Sequence, residues 1–131
     1  MQTRFASWHS SGVRRIAPVA FLLFAACGLA FYQRFESDTL YFGTAKPDHS
    51  VVTAAEWQQF LGDEVAPRFE GFTHWEAHGS WKGETEESHV VQIVHGPGKE
   101  NAIAAIIDAY KKRFAQEAVL QVRSDVWLPV R

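Results

Sequence analysis

The chain has 131 residues, 47% of them hydrophobic and 14% aromatic, with a formal net charge of −2 and one cysteine. That length leaves room for one domain beside an export segment, and the charge balance excludes the basic surface that nucleic acid selects. A single cysteine excludes an internal disulfide framework, so the domain must rely on its core.

The first 35 residues contain Arg4, Arg14, Arg15 and Arg34 and no acidic residue. An apolar run follows from Ile16 to Tyr32, interrupted by Pro18 and Gly28. It falls short of the ~20 apolar residues of a spanning helix. A basic start and an apolar middle predict a signal peptide or membrane-anchor segment over residues 1–30. Three processing routes fit. Phe24-Ala25-Ala26-Cys27 reads as a lipobox, with cleavage before Cys27 and a diacylglyceryl group on its thiol. Cleavage after Ala30 would release a soluble domain, and no cleavage would leave a single anchor. Arg14-Arg15 lacks the flanking residues of a twin-arginine signal. The expected location is the cell envelope, on the periplasmic or outer side, with the membrane as a partner through the N-terminal lipid or anchor. From Gly28 onward ten Lys/Arg stand against fifteen Asp/Glu, a net charge of −5 that suits solubility.

Residues 31–38 read as a polar linker, and residues 39–131 as one α+β domain. Thr39-Leu40-Tyr41-Phe42-Gly43 is a short β-rich run. Thr53-Ala54-Ala55-Glu56 is a capping box that opens a helix. Trp57, Phe60, Leu61 and Val65 form its apolar face, and Pro67 ends it. Phe72 to Trp81 is a second strand, Gly83 to Glu87 a polar turn, and His89 to His95 a third, central strand. Gly96-Pro97-Gly98 breaks it. A second helix spans about Glu100 to Gln116, burying Ile103, Ile106, Ile107, Tyr110 and Phe114. Lys111, Lys112 and Arg113 suit the dipole of its last turns. Ala118 to Val122 is a fourth strand, and Trp127 to Val130 a candidate edge segment. The order βαββαβ predicts a ferredoxin-like fold, a four-stranded antiparallel sheet with both helices on one face. The other face is then left for solvent, a partner or a ligand.

Leu40-Tyr41-Phe42-Gly43, Val65-Ala66-Pro67-Arg68-Phe69, Gly79-Ser80-Trp81 and the run from Tyr110 to Leu120 stand together in one order and spacing. In this the chain resembles bacterial domain-of-unknown-function family 3574, over about Thr39 to Arg123. Ala77 stands where that family often has glycine, and Ala118 where it often has serine. The resemblance implies an exported or lipid-anchored protein and assigns no chemistry.

Among candidate site residues, His74, Glu76 and His78 share one strand face and are metal-ligand types. The Cα atoms of His74 and His78 would lie about 13 Å apart, too far for one ion to hold both rings comfortably. A third ligand would have to come from His89 or His95, so no metal site is assigned. The plainer reading is a solvated polar face, with Trp75, Ala77, Gly79 and Trp81 turned toward the helices. Tyr41, Phe72 and the parity Val90, Gln92 and Val94 could line the open sheet face. That face could form a homodimer interface, with or without a small molecule inside. Gly96-Pro97-Gly98-Lys99 fails the phosphate-loop pattern, because residue 93 is Ile and Glu100 follows the lysine. Arg68 and Glu117 each follow a helix. They could pair with each other or with chain carbonyls, or Arg68 could clamp a carboxylate ligand.

No catalytic residue and no cofactor is assigned. One reading is a non-catalytic, lipid-anchored envelope module that binds a partner or small ligand through its open face. The other is a small enzyme of dimeric α+β barrel type, with a site between paired sheets.

Overall fold

A computed structural model describes residues 32–129. The export segment over residues 1–30, with Cys27 and the arginine pair, lies outside the described residues. Strand β1 is Tyr32–Gly43, helix α1 Ala54–Phe60, β2 Thr73–Trp81, β3 Glu84–His95, α2 Glu100–Phe114 and β4 Leu120–Pro129. The strands form one sheet in the order β2-β3-β1-β4, every neighbour antiparallel. This is the ferredoxin-like βαββαβ arrangement.

Helix α1 begins where the capping box predicts. Thr53 accepts from the Glu56 amide, and Glu56 accepts from the Thr53 amide. Such a cap contributes about 1 kcal/mol. Lys46 also donates to both Glu56 oxygens, at 2.8 and 3.0 Å. A π-helical turn, Leu61–Val65, continues α1 toward Pro67. Helix α2 stops at Phe114, because Ala115 turns left-handed at φ 53°.

One side of the sheet carries the core. Leu40 and Phe42 of β1 and Val91 and Ile93 of β3 pack under Trp57, Phe60, Leu61 and Val65, and under Ile103, Ile106, Tyr110 and Phe114. Phe42 lies at the centre, its ring centroid 4.6 Å from Tyr110, 5.5 Å from Trp57 and 5.7 Å from Phe60. Tyr110 keeps its hydroxyl satisfied by donating to the Gly43 carbonyl at 2.8 Å, and burial pushes its pKa up.

Three elements differ from the sequence reading. The expected linker at 31–38 is instead the first half of β1, with Ser37 and Asp38 buried. Its alternation Arg34, Glu36, Asp38 has the period of a strand, and neighbours on both sides pair it. The expected turn at 83–87 shrinks to two residues. Lys82 and Gly83 both have positive φ, 52° and 87°, as a type I′ hairpin turn requires. The fourth strand runs on through Ser124 and Asp125, absorbing the expected edge segment as far as Pro129.

Candidate functional site

The register assigns every strand residue to a face. Glu36, Asp38, Leu40 and Phe42 point toward the helices, and β3 joins them with His89, Val91, Ile93 and His95. Across β2, His74 pairs with Val91, Glu76 with His89 and His78 with Glu87. The three candidate residues therefore share a face, as expected, but it is the helix side, and Trp75 and Ala77 point to the open side. The expectation fails because β2 is an edge strand. Part of its helix side lies outside the core, so the bulkier alternate need not turn inward. Phe72 is also corrected, since it packs against the core instead of lining the open face.

His74 contacts the rings of Trp57 and Phe72. Glu76, His78, Glu87 and His89 border a small cleft of about 170 Å³, closed on one side by Val52 and Ala54 before and within α1. His89 is buried and stacked on Trp57, with centroids 4.4 Å apart and planes 8° from parallel. Its Nε2 has no hydrogen-bond partner among the described residues. Burial pushes the His89 pKa down, and the nearby Glu76 carboxylate opposes that shift. Among the described residues no three His, Cys, Asp or Glu side chains are placed to hold a metal ion.

The densest polar cluster was missed by the sequence reading. Asp38 is fully buried and accepts from three neighbours. Arg123 donates from Nε to Oδ1 and from Nη2 to Oδ2, both at 3.0 Å. Gln121 donates to Oδ1 at 2.7 Å, and His95 Nε2 bonds Oδ2 at 2.8 Å. Burial alone would raise the Asp38 pKa. The hydrogen bonds from Arg123, Gln121 and His95 outweigh it and hold the carboxyl below its ordinary range. The bond to Asp38 in turn raises Arg123. His95 Nδ1 lies 2.7 Å from the Gly96 carbonyl. Both ring nitrogens of His95 therefore face acceptor oxygens, Asp38 Oδ2 and the Gly96 carbonyl. The overlooked signal was the polar alternation of Arg34, Glu36 and Asp38, with Gln121 and Arg123 two apart on β4.

Arg68 pairs within its own helical segment, donating to Glu64 Oε2 at 2.9 Å and to the Glu64 carbonyl at 2.6 Å. Glu117 is not its partner. With Phe69, Glu70, His95 and Lys99, Arg68 borders a shallow cleft of about 410 Å³.

On the open face, rows of side chains run across the strands. Trp75, Val90, Tyr41 and Leu120 form one row; Thr73, Gln92, Thr39 and Val122 the next; Val94, Ser37 and Ser124 a third; and Phe35 and Val126 a fourth. Tyr41 thus sits where the sequence placed it. Val90 is fully buried between its neighbours, while Leu120, Val122, Val94 and Trp75 are 41–61% exposed. These rows contain no ionisable group except the Tyr41 phenol. Glu84 and Glu86 have the same parity toward the hairpin end, and the Glu86 carboxylate lies over Gly43 of β1. The other charged residues of β1 and β4, together with His89 and His95, point to the helix side.

No helix among the described residues is long and apolar enough to cross a membrane. No curated protein matches the sequence. The chain also matches two solved structures. A phage SAM lyase in complex with S-methyl-5′-thioadenosine is 15% identical, with a TM-score of 0.43 over 79% of this chain and 92% of the other. A phage SAM lyase in the apo state is also 15% identical, with a TM-score of 0.46 over 72% and 87%. A family model described as protein of unknown function (DUF3574) matches residues 37–129, and the chain belongs to that family.

Proposed function

We propose that the protein is a non-catalytic binding module of the cell envelope, tethered through its N-terminal segment with Cys27 as the lipid-bearing residue. Its working surface is the open sheet face, which receives an uncharged, apolar protein surface. One observation carries the reading: that face pairs exposed Trp75, Val94, Leu120 and Val122 with serine, threonine and glutamine, while the strand charges other than Glu84 and Glu86 at the hairpin end lie on the opposite side. A sheet face meant for water ordinarily carries the charge. Four strands at ~4.8 Å spacing and about eight residues of ~3.3 Å rise give roughly 500 Å². Covering it would remove about 1,000 Å² in total, the lower limit of a specific interface.

The test is photo-crosslinking in membranes of the host, from a crosslinker placed at Val94, at Val122, or at Ala104 on the exposed side of α2. The expected result is one defined protein adduct from Val94 and Val122, none from Ala104, and loss of the Val122 adduct in Val94→Lys. Equal labelling from all three positions, or none, would overturn the binding face. The intact mass of the same sample reads the tether. A chain starting at acylated Cys27 supports it, and an unmodified chain starting at Phe31 or Met1 removes the lipid.

A further inference from the structure

Strand β4 is an edge of the sheet, and among the described residues its one strand neighbour is β1. An open edge is a template for another strand. Proteins usually blunt such an edge with short length, lysine, proline or a bulge. Here β4 runs ten residues, contains no lysine, and meets proline only at its last position, Pro129.

Its sequence is self-complementary about Ser124. Leu120 and Leu128 stand four residues to either side, Val122 and Val126 two, and Arg123 and Asp125 one. We propose that two copies of this chain pair β4 with β4, antiparallel across a two-fold axis at Ser124, to form one eight-stranded sheet. Leu120 then faces Leu128 of the partner subunit, and Val122 faces Val126 of the partner subunit, both on the open side. Arg123 faces Asp125 of the partner subunit on the helix side, and the symmetry makes each pair twice. Directly opposite unlike charges and matched apolar pairs favour a ladder.

The register is specified as well as permitted. A two-fold axis perpendicular to the sheet requires facing residues of equal parity, so the nearest alternatives are centred on Arg123 or Asp125. Each sets a like charge against its own copy, which disfavours it. The charges are also available. Arg123 holds Asp38 through Nε and Nη2, while Nη1 makes only 3.7 Å approaches to Glu36 and Glu100. Asp125 takes the Arg34 guanidinium at Oδ1 and leaves Oδ2 open, its side chain 53% exposed. Both open faces of such a dimer lie on the same side. Pairing therefore doubles the uncharged platform, and it requires nothing about what that platform receives.

The experiment uses the full chain in detergent, with Cys27→Ser in the background. Light scattering is expected to give the mass of two chains, and Asp125→Arg to return it to one. Ser124→Cys is expected to form an intermolecular disulfide under mild oxidation, because facing strand residues lie within disulfide reach. Ala104→Cys is expected to form none. Val94→Lys should leave the Ser124 crosslink unchanged, which separates this pairing from binding at the open face. A one-chain mass for the parent protein would overturn the proposal. So would a two-chain mass that survives Asp125→Arg without a crosslink at Ser124.

Discussion

The helix-covered face of the sheet buries a carboxylate at Asp38 and answers it with Arg123, Gln121 and His95, whereas the rows across the open face carry no ion. The same four strands make both faces, with successive residues assigned to each in turn. The difference shows where this protein can hold charge. Under the helices, ions are fixed in place by partners from β1, β3 and β4. Across the four rows of the open side, away from Glu84 and Glu86, Ser37, Thr39, Gln92 and Ser124 supply polarity without an ion that a docking surface would have to desolvate.

Five substitutions break or sharpen that contrast. The largest effect is expected from Asp38→Ala, which leaves the Arg123 guanidinium and the His95 ring without their common acceptor. Removing one partner of a buried ionic group costs about 3–5 kcal/mol, read by urea denaturation. The same group predicts an acid limb. Its folded pKa lies below the unfolded value, so its contribution is complete above about pH 4 and is lost as pH falls through the folded value. Denaturation of the Asp38→Asn chain should lack that share of the acid dependence.

Next is Tyr110→Phe, which keeps the ring against Phe42 and removes the bond to the Gly43 carbonyl. A loss of about 1–2 kcal/mol is expected from leaving that acceptor unpaired, measured by calorimetry. His89→Phe works the other way. Phenylalanine can keep the stack on Trp57 while removing the unpartnered Nε2, so a gain of up to about 1 kcal/mol is expected. The sign with pH follows from burial. The folded His89 pKa lies below the unfolded value of ~6.5, so the native chain loses stability as pH drops through that region, and the His89→Phe chain should lose less. The smallest effect belongs to Val94→Lys on the open face. Its stability should stay within about 0.5 kcal/mol of the parent, and only crosslinking at the face should change.

Much of the frame was legible in the sequence. The capping box at Thr53, the apolar faces of both helices and the order of strands follow from periodicity and turn chemistry. The Asp38 cluster was not legible, because its members come from three strands that only the sheet register brings together. Arg34, Glu36 and Asp38 gave a strand signal, but polar residues at that period read equally well as a solvated linker. The face of His74, Glu76 and His78 was misassigned for a related reason. On an edge strand only part of whose helix side meets the core, alternation says which residues share a face and not which face it is. Trp75 therefore looked like core and is 41% exposed.

Strand β1 lies between β3 and β4, with a ladder on each side along most of its length, and it is also the strand through which the chain enters its domain. Tension applied ahead of Tyr32 and directed along β1 loads both ladders in shear, so many backbone bonds must yield together. A terminal edge strand pulled across its ladder would instead peel away one bond at a time. If the N-terminus is held, the domain meets a pull through a strand laddered on both sides, two strands away from the far edge at β2.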